Sequence, residues 1–101
     1  MTRTGMVGTR FQICPQRPNC VSTMANIKDE VHFIAPLTYR GSRESAQRQL
    51  EQVLQALPRH KLIKKNDTYW HYEFRSATFR FVDNVEFYFP PREKVIHMRS
   101  A

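Results

Sequence analysis

The sequence predicts an α+β domain: an antiparallel sheet of about four to five strands with one amphipathic helix on one face, in the order β-α-β-β-β-β, after an irregular N-terminal arm. Three observations carry this. Ala46, Leu50, Val53, Leu54 and Leu57 recur at helical spacing and form one apolar stripe, with Arg, Gln and Glu covering the rest. Thr68 to Arg75 alternates, with Trp70, Tyr72 and Phe74 on one side and Tyr69, His71, Glu73 and Arg75 on the other. Phe79 to Phe89 then interleaves aromatic and β-branched residues with charged ones, so most of its apolar side chains need a core.

The elements follow in order. Residues 1–30 lack periodicity and are punctuated by Gly5, Gly8, Pro15, Pro18, Asn19 and Asn26, which predicts an arm, with a single domain over 31–101. Val31 to Tyr39 fits an edge strand, because Pro36 cannot donate to a central ladder. Gly41-Ser42 opens the helix, with Ser42 as the N-cap, Glu44 in the first turn and Pro58 as the stop. Leu62-Ile63 makes a short strand, and Asn66-Asp67 turns into the alternating run. The strand over Phe79 to Phe89 is expected to break near Asp83-Asn84. After the turn Pro90 to Glu93, the frame of the last strand, Val95 to Arg99, is ambiguous between Ile96/Met98 and Val95/His97.

A chain of 101 residues, 41% hydrophobic and 12% aromatic, builds one small core and is not a disordered composition. No apolar run approaches the roughly 18 residues of a membrane span, and Met1 to Arg10 lacks the apolar core of a signal peptide. A cytoplasmic location is expected on that ground. A plastid, thylakoid-associated or periplasmic location is the alternative if a targeting segment precedes this numbering. The net charge is +7, but the sixteen Lys and Arg are scattered, and the densest patch, Arg59-His60-Lys61 with Lys64-Lys65, reads first as solvated surface. Nucleic-acid binding is therefore disfavoured: Glu73 would oppose phosphate on the one candidate stacking row, Tyr69, His71, Glu73 and Arg75.

No motif specifies a reaction. Three glycines make no phosphate loop, and Ser76 and Ser100 have no neighbouring base. His32, His60, His71 and His97 form no ligand pair, so no metal and no cofactor is expected. Two features remain. Cys14 and Cys20 bracket a loop bent by two prolines, and either a disulfide staple or two reduced thiols fits that spacing. Asp83 and Glu86 sit among aromatics with Arg75, Arg80 and Arg99 as available partners. They either line a small polar pocket on the sheet for a cation or a polar ligand, or they neutralise strand arginines or cap a turn.

Four segments in the same order carry a resemblance: Cys14-Pro-Gln-Arg-Pro-Asn-Cys-Val-Ser22, Ile34-Ala-Pro-Leu-Thr-Tyr-Arg-Gly41, Phe81-Val-Asp-Asn-Val-Glu-Phe87 and Ile96-His-Met-Arg-Ser-Ala101. With the helix between them, the chain from about residue 12 to its end resembles domain of unknown function family 1499. Members occur in bacteria, including cyanobacteria, and in chloroplasts, and have no established activity. The resemblance implies one compact domain and argues against a familiar enzyme class. Asn84 stands where the family has a second acid, which puts tight divalent-metal binding in doubt. The family's polar tail and final helix would follow Ala101, so a C-terminally truncated domain is expected, without the covering helix or half-site that would face Asp83 and Glu86.

The expected role is a non-enzymatic binding or accessory module. Its candidate ligand cluster is Asp83, Glu86 and Arg99 beside Ser76 and Ser100, and Cys14 and Cys20 are its staple. The expected partner is another protein or complex, with peripheral membrane contact left open. The alternatives are an accessory subunit of a larger assembly such as a photosynthetic membrane complex, a small hydrolase-like enzyme using Asp83 or Glu86 as base, and a nucleic-acid binder.

Overall fold

A computed structural model describes residues 3–78 and 81–101. Among the described residues, one helix, α1 (Arg43–Gln55), accompanies eight strands. These are β1 (Met6–Val7), β2 (Arg10–Phe11), β3 (Val21–Ser22), β4 (Leu37–Thr38), β5 (His60–Lys65), β6 (Tyr69–Arg75), β7 (Val82–Tyr88) and β8 (Val95–Ser100). The fold is α+β. Its sheet has six strands in the order β3-β8-β7-β6-β5, with β4 also paired to β8, and β1 and β2 make a separate two-stranded sheet. The strand count is slightly higher than the sequence suggests, because the outer edge of β8 is shared by two short strands. β3 takes Arg99 and Ser100, and β4 takes Val95 and Ile96. All of these pairings are antiparallel.

Helix α1 starts where Ser42 Oγ accepts from Ser45 N at 3.0 Å, after Gly41 at φ +84°, a backbone state that favours glycine. The apolar stripe is narrower than its spacing suggests. Ala46 and Leu54 are buried and Leu50 packs against them, whereas Val53 and Leu57 are exposed. Val53 lies one residue, about 100° of helix rotation, from Leu54, at the rim of the stripe. Leu57 falls beyond the C-cap Ala56, since the residue before a proline is driven out of helical geometry.

The helix covers Trp70, Tyr72, Phe87, Phe89 and Ile96, with Phe74, Val85 and Met98 partly buried around them. Burying a side chain the size of Phe87 contributes roughly 1.5–3 kcal/mol, and Trp70 stacks tilted on Phe89 with centroids 4.8 Å apart. The burial of Ile96 fixes the frame of β8: Ile96 and Met98 face the helix, and Val95, His97 and Arg99 face the other way.

Three local expectations are corrected. The strand over Val31 to Tyr39 shrinks to Leu37–Thr38, because the Asp29 carboxylate collects the N–H groups of Val31 and His32 into a turn. The Leu62-Ile63 strand extends to His60–Lys65 along β6. The break near Asp83-Asn84 does not occur. β7 pairs with β6 without a register shift from Tyr69↔Tyr88 to Arg75↔Val82, and Asn84 exchanges both backbone bonds with Ala101. The expected start of this strand at Phe79, and Arg80 as a partner, lie outside the described residues.

The sheet face away from the helix is covered by the N-terminal segment. Tyr69 and His71, expected on an open row, are buried there. Phe11 and Cys20 are buried, and Thr23 closes the gap between β3 and β4. Its hydroxyl accepts from Met98 N at 3.0 Å and lies 2.8 Å from His97 Nδ1.

Candidate functional site

On that covered face, antiparallel register lines up one lateral row across five strands: Lys64↔His71, His71↔Glu86, Glu86↔Arg99 and Arg99↔Ser22. Glu86 and Arg99 are almost fully shut off from solvent, at 0% and 1% exposure. Both oxygens of Glu86 are engaged. Oε2 accepts from Gly5 N at 2.8 Å and from the Tyr69 hydroxyl at 2.5 Å, and Oε1 accepts from Arg99 Nη1 at 3.2 Å. Tyr69 reaches Glu86 diagonally, since its directly opposite residue is Tyr88. Burial, and then the donation to Glu86, push the Tyr69 phenol far above its ordinary range, so it stays a donor. His71 Nε2 lies 2.9 Å from Asn84 Oδ1, which holds that ring in the same plane of groups.

Arg99 is only partly used by this cluster. Nη1 serves Glu86 and the Arg3 carbonyl, both at 3.2 Å, while Nε is sealed from solvent with no acceptor among the described residues. A buried N–H without an acceptor costs about 1–3 kcal/mol, more when charged. Arg99 also floors a recess of about 260 Å³ whose walls include Arg3, Gln12, Arg17 and Asn19. The Cys14–Cys20 disulfide closes the loop that carries Arg17 and Asn19, with its Cα atoms 5.7 Å apart. The same loop is tied down by His32, whose Nδ1 meets Asp29 Oδ2 at 2.7 Å and whose Nε2 meets the Arg17 carbonyl at 3.0 Å. Those two acceptors raise the pKa of His32, the Asp29 carboxylate first.

Of the five residues expected in the ligand cluster, the structure brings together two, Glu86 and Arg99. Asp83 is exposed and lies three positions from Glu86 in an unbroken strand, hence on the opposite face. Ser100 shares the helix side with Ile96 and Met98. Ser76 sits at the far end of β6, where its hydroxyl accepts from Phe81 N at 3.1 Å and its backbone N donates to Phe81 O. Sequence reasoning missed Tyr69 and Gly5 as partners of Glu86, and Arg3 and Arg17 as walls of the recess. The parity of β6 and β7 signals Tyr69, but nothing local places Gly5 or Arg3. Among the described residues no group of three His, Cys, Asp or Glu side chains is arranged to hold a metal ion.

A second feature lies at the opposite edge of the sheet. β5 pairs with β6 alone, and its outer edge is unpaired among the described residues. Leu62 and Ile63 are nearly half exposed there, Ile63 being the extra residue of a bulge between Leu62 and Lys64. Val53 and Leu57, at the helix end leading into β5, are exposed as well, and Lys61 and Lys64 flank the pair on the strand.

Fold and site together define a small basic α+β domain whose sheet is faced by a helix on one side and by a chain segment anchored through a buried glutamate–arginine pair on the other. The chain belongs to the family described as protein of unknown function (DUF1499), which matches residues 10–101. Neither a curated protein nor a solved structure matches the chain. No helix among the described residues is long and apolar enough to cross a membrane.

Proposed function

We propose that the chain is a non-enzymatic accessory module that takes up an extended, acidic segment of a protein partner along the free edge of β5. The observation that supports this reading is that edge: backbone groups unpaired among the described residues, with Leu62 and Ile63 exposed between Lys61 and Lys64. An exposed edge offers N–H and C=O groups to an added strand, and side-chain pockets set its specificity. Lysines on an edge are also the usual defence against self-pairing. On β5 both effects act at once. A second copy, itself carrying net charge +7, brings like charge to the edge, whereas an acidic strand brings its complement.

The test is amide hydrogen exchange on the full chain with alternating Glu-Val peptides as probes, followed by binding measurements by anisotropy. Slowed exchange in His60–Lys65, and at least a tenfold weakening in Lys61→Glu/Lys64→Glu, are expected. No protection of β5 by any of these peptides, or equal affinity in the charge-reversed variant, would overturn the reading.

A further inference from the structure

We infer that the recess above Arg99 is a binding site for a phosphate-bearing ligand, independent of the docking edge on β5. Arg3, Arg17 and Arg99 all line it, and no acidic side chain does. The Glu86 carboxylate meets Arg99 on its Nη1 side. The three guanidinium charges outnumber that carboxylate, so the recess favours an anion such as a phosphate monoester, which carries about −1.5 to −2 at neutral pH.

The geometry supplies the second support. Arg99 is 1% exposed, so its guanidinium is held rigidly at the base of the recess, with Glu86 and the Arg3 carbonyl both engaged on its Nη1 edge. Guanidinium is the group suited to gripping phosphate oxygens in pairs. The remaining polar walls, Gln12 and Asn19, bring amide groups for a third oxygen or an ester oxygen.

The loop that carries Arg17 and Asn19 is pre-organised. The Cys14–Cys20 disulfide closes it and the His32 contact fixes the Arg17 carbonyl, so little ordering is left for binding to accomplish.

The test is a titration of the full chain with inorganic phosphate, phenyl phosphate and acetate at constant ionic strength, followed by calorimetry and by amide chemical shifts. Saturable one-to-one binding of both phosphates is expected, with shifts centred on Asn19 and Arg99 and acetate at least tenfold weaker. Arg3→Gln/Arg17→Gln alters exposed side chains, so the protein should keep its melting temperature while losing at least tenfold in phosphate affinity. Unsaturable binding, equal affinity for acetate, or unchanged affinity in the double variant would overturn the inference. Lys61→Glu/Lys64→Glu should leave phosphate affinity within twofold, and a larger loss would place the anion on β5 instead.

Discussion

Replacing Glu86 by Leu should be among the most destabilising single changes in this domain. The substitution removes the acceptor for three donors: Gly5 N at 2.8 Å, the Tyr69 hydroxyl at 2.5 Å and Arg99 Nη1 at 3.2 Å. Gly5 is only half buried and recovers a water. Tyr69 and Arg99 do not, being 5% and 1% exposed. Breaking one side of a buried ion pair costs about 3–5 kcal/mol, because a charge stays buried without its partner. For a domain of this size each kcal/mol moves the melting temperature by roughly 4–8 °C, so a fall of about 12 °C or more is expected. Thermal and urea unfolding followed by circular dichroism measure both quantities. The double variant Glu86→Leu/Arg99→Met removes the stranded charge as well, and it should lose about 1–3 kcal/mol less than the sum of the two single changes. A loss below about 1 kcal/mol for Glu86→Leu, or strict additivity in the cycle, would show that the pair is not a buried, coupled unit.

Four further outcomes follow from named contacts. Ser42→Ala removes the acceptor for Ser45 N and should cost about 1 kcal/mol in urea unfolding, with Ser42→Asp retaining most of the stability. Asp83→Asn changes an exposed side chain and should stay within about 0.5 kcal/mol of the parent. Reducing Cys14–Cys20 opens a short loop, a sequence separation of 6, and should lower stability by about 2–3 kcal/mol, with intact mass confirming two added hydrogens. The pH profile should carry two histidine signatures on opposite sides of 6.5. Hydrogen bonding to Asp29 raises His32, so its contribution is complete below 6.5 and fades as pH rises through the higher folded value. Burial lowers His97 against an opposing pull from Glu93, so its contribution is complete above 6.5 and fades as pH falls through the lower folded value. His32→Asn should flatten the profile above 6.5, and His97→Asn below it.

What the sequence made legible is what repeats locally. The cap at Ser42, the stop before Pro58 and the alternation of Trp70, Tyr72 and Phe74 each need only neighbours within one turn or one strand. The helix and its sheet face are therefore readable. β3 and β4 are two residues long and exist because the outer edge of β8 is open to them, and two residues hold no period. The candidate site is legible only in part. Asp83 and Glu86 are close in sequence, but in a continuous strand residues three apart face opposite sides. Pairing Glu86 with Arg99 requires the register across the Pro90–Lys94 turn, and pairing it with Gly5 spans 81 positions.

The buried pair also explains how a small domain with one helix covers a sheet on both faces. A six-stranded sheet faced by α1 alone would leave Tyr69, His71, Glu86 and Arg99 in water, and nothing would then hold them in one row. The N-terminal segment is too polar to cover them through hydrophobic area: of its side chains, Phe11 and Cys20 are the apolar ones buried. It is held instead by directed bonds, Gly5 N to Glu86, Arg99 to the Arg3 carbonyl, and Thr23 to Met98 and His97. Directed bonds fix a segment's position more sharply than apolar contact does, because each works at one distance and angle. That precision sets Arg3 and Arg17 beside Arg99. The charge that anchors the segment is thus also the floor of the recess, and a change that loosens Glu86 should empty the recess of its walls before the helix-covered core gives way.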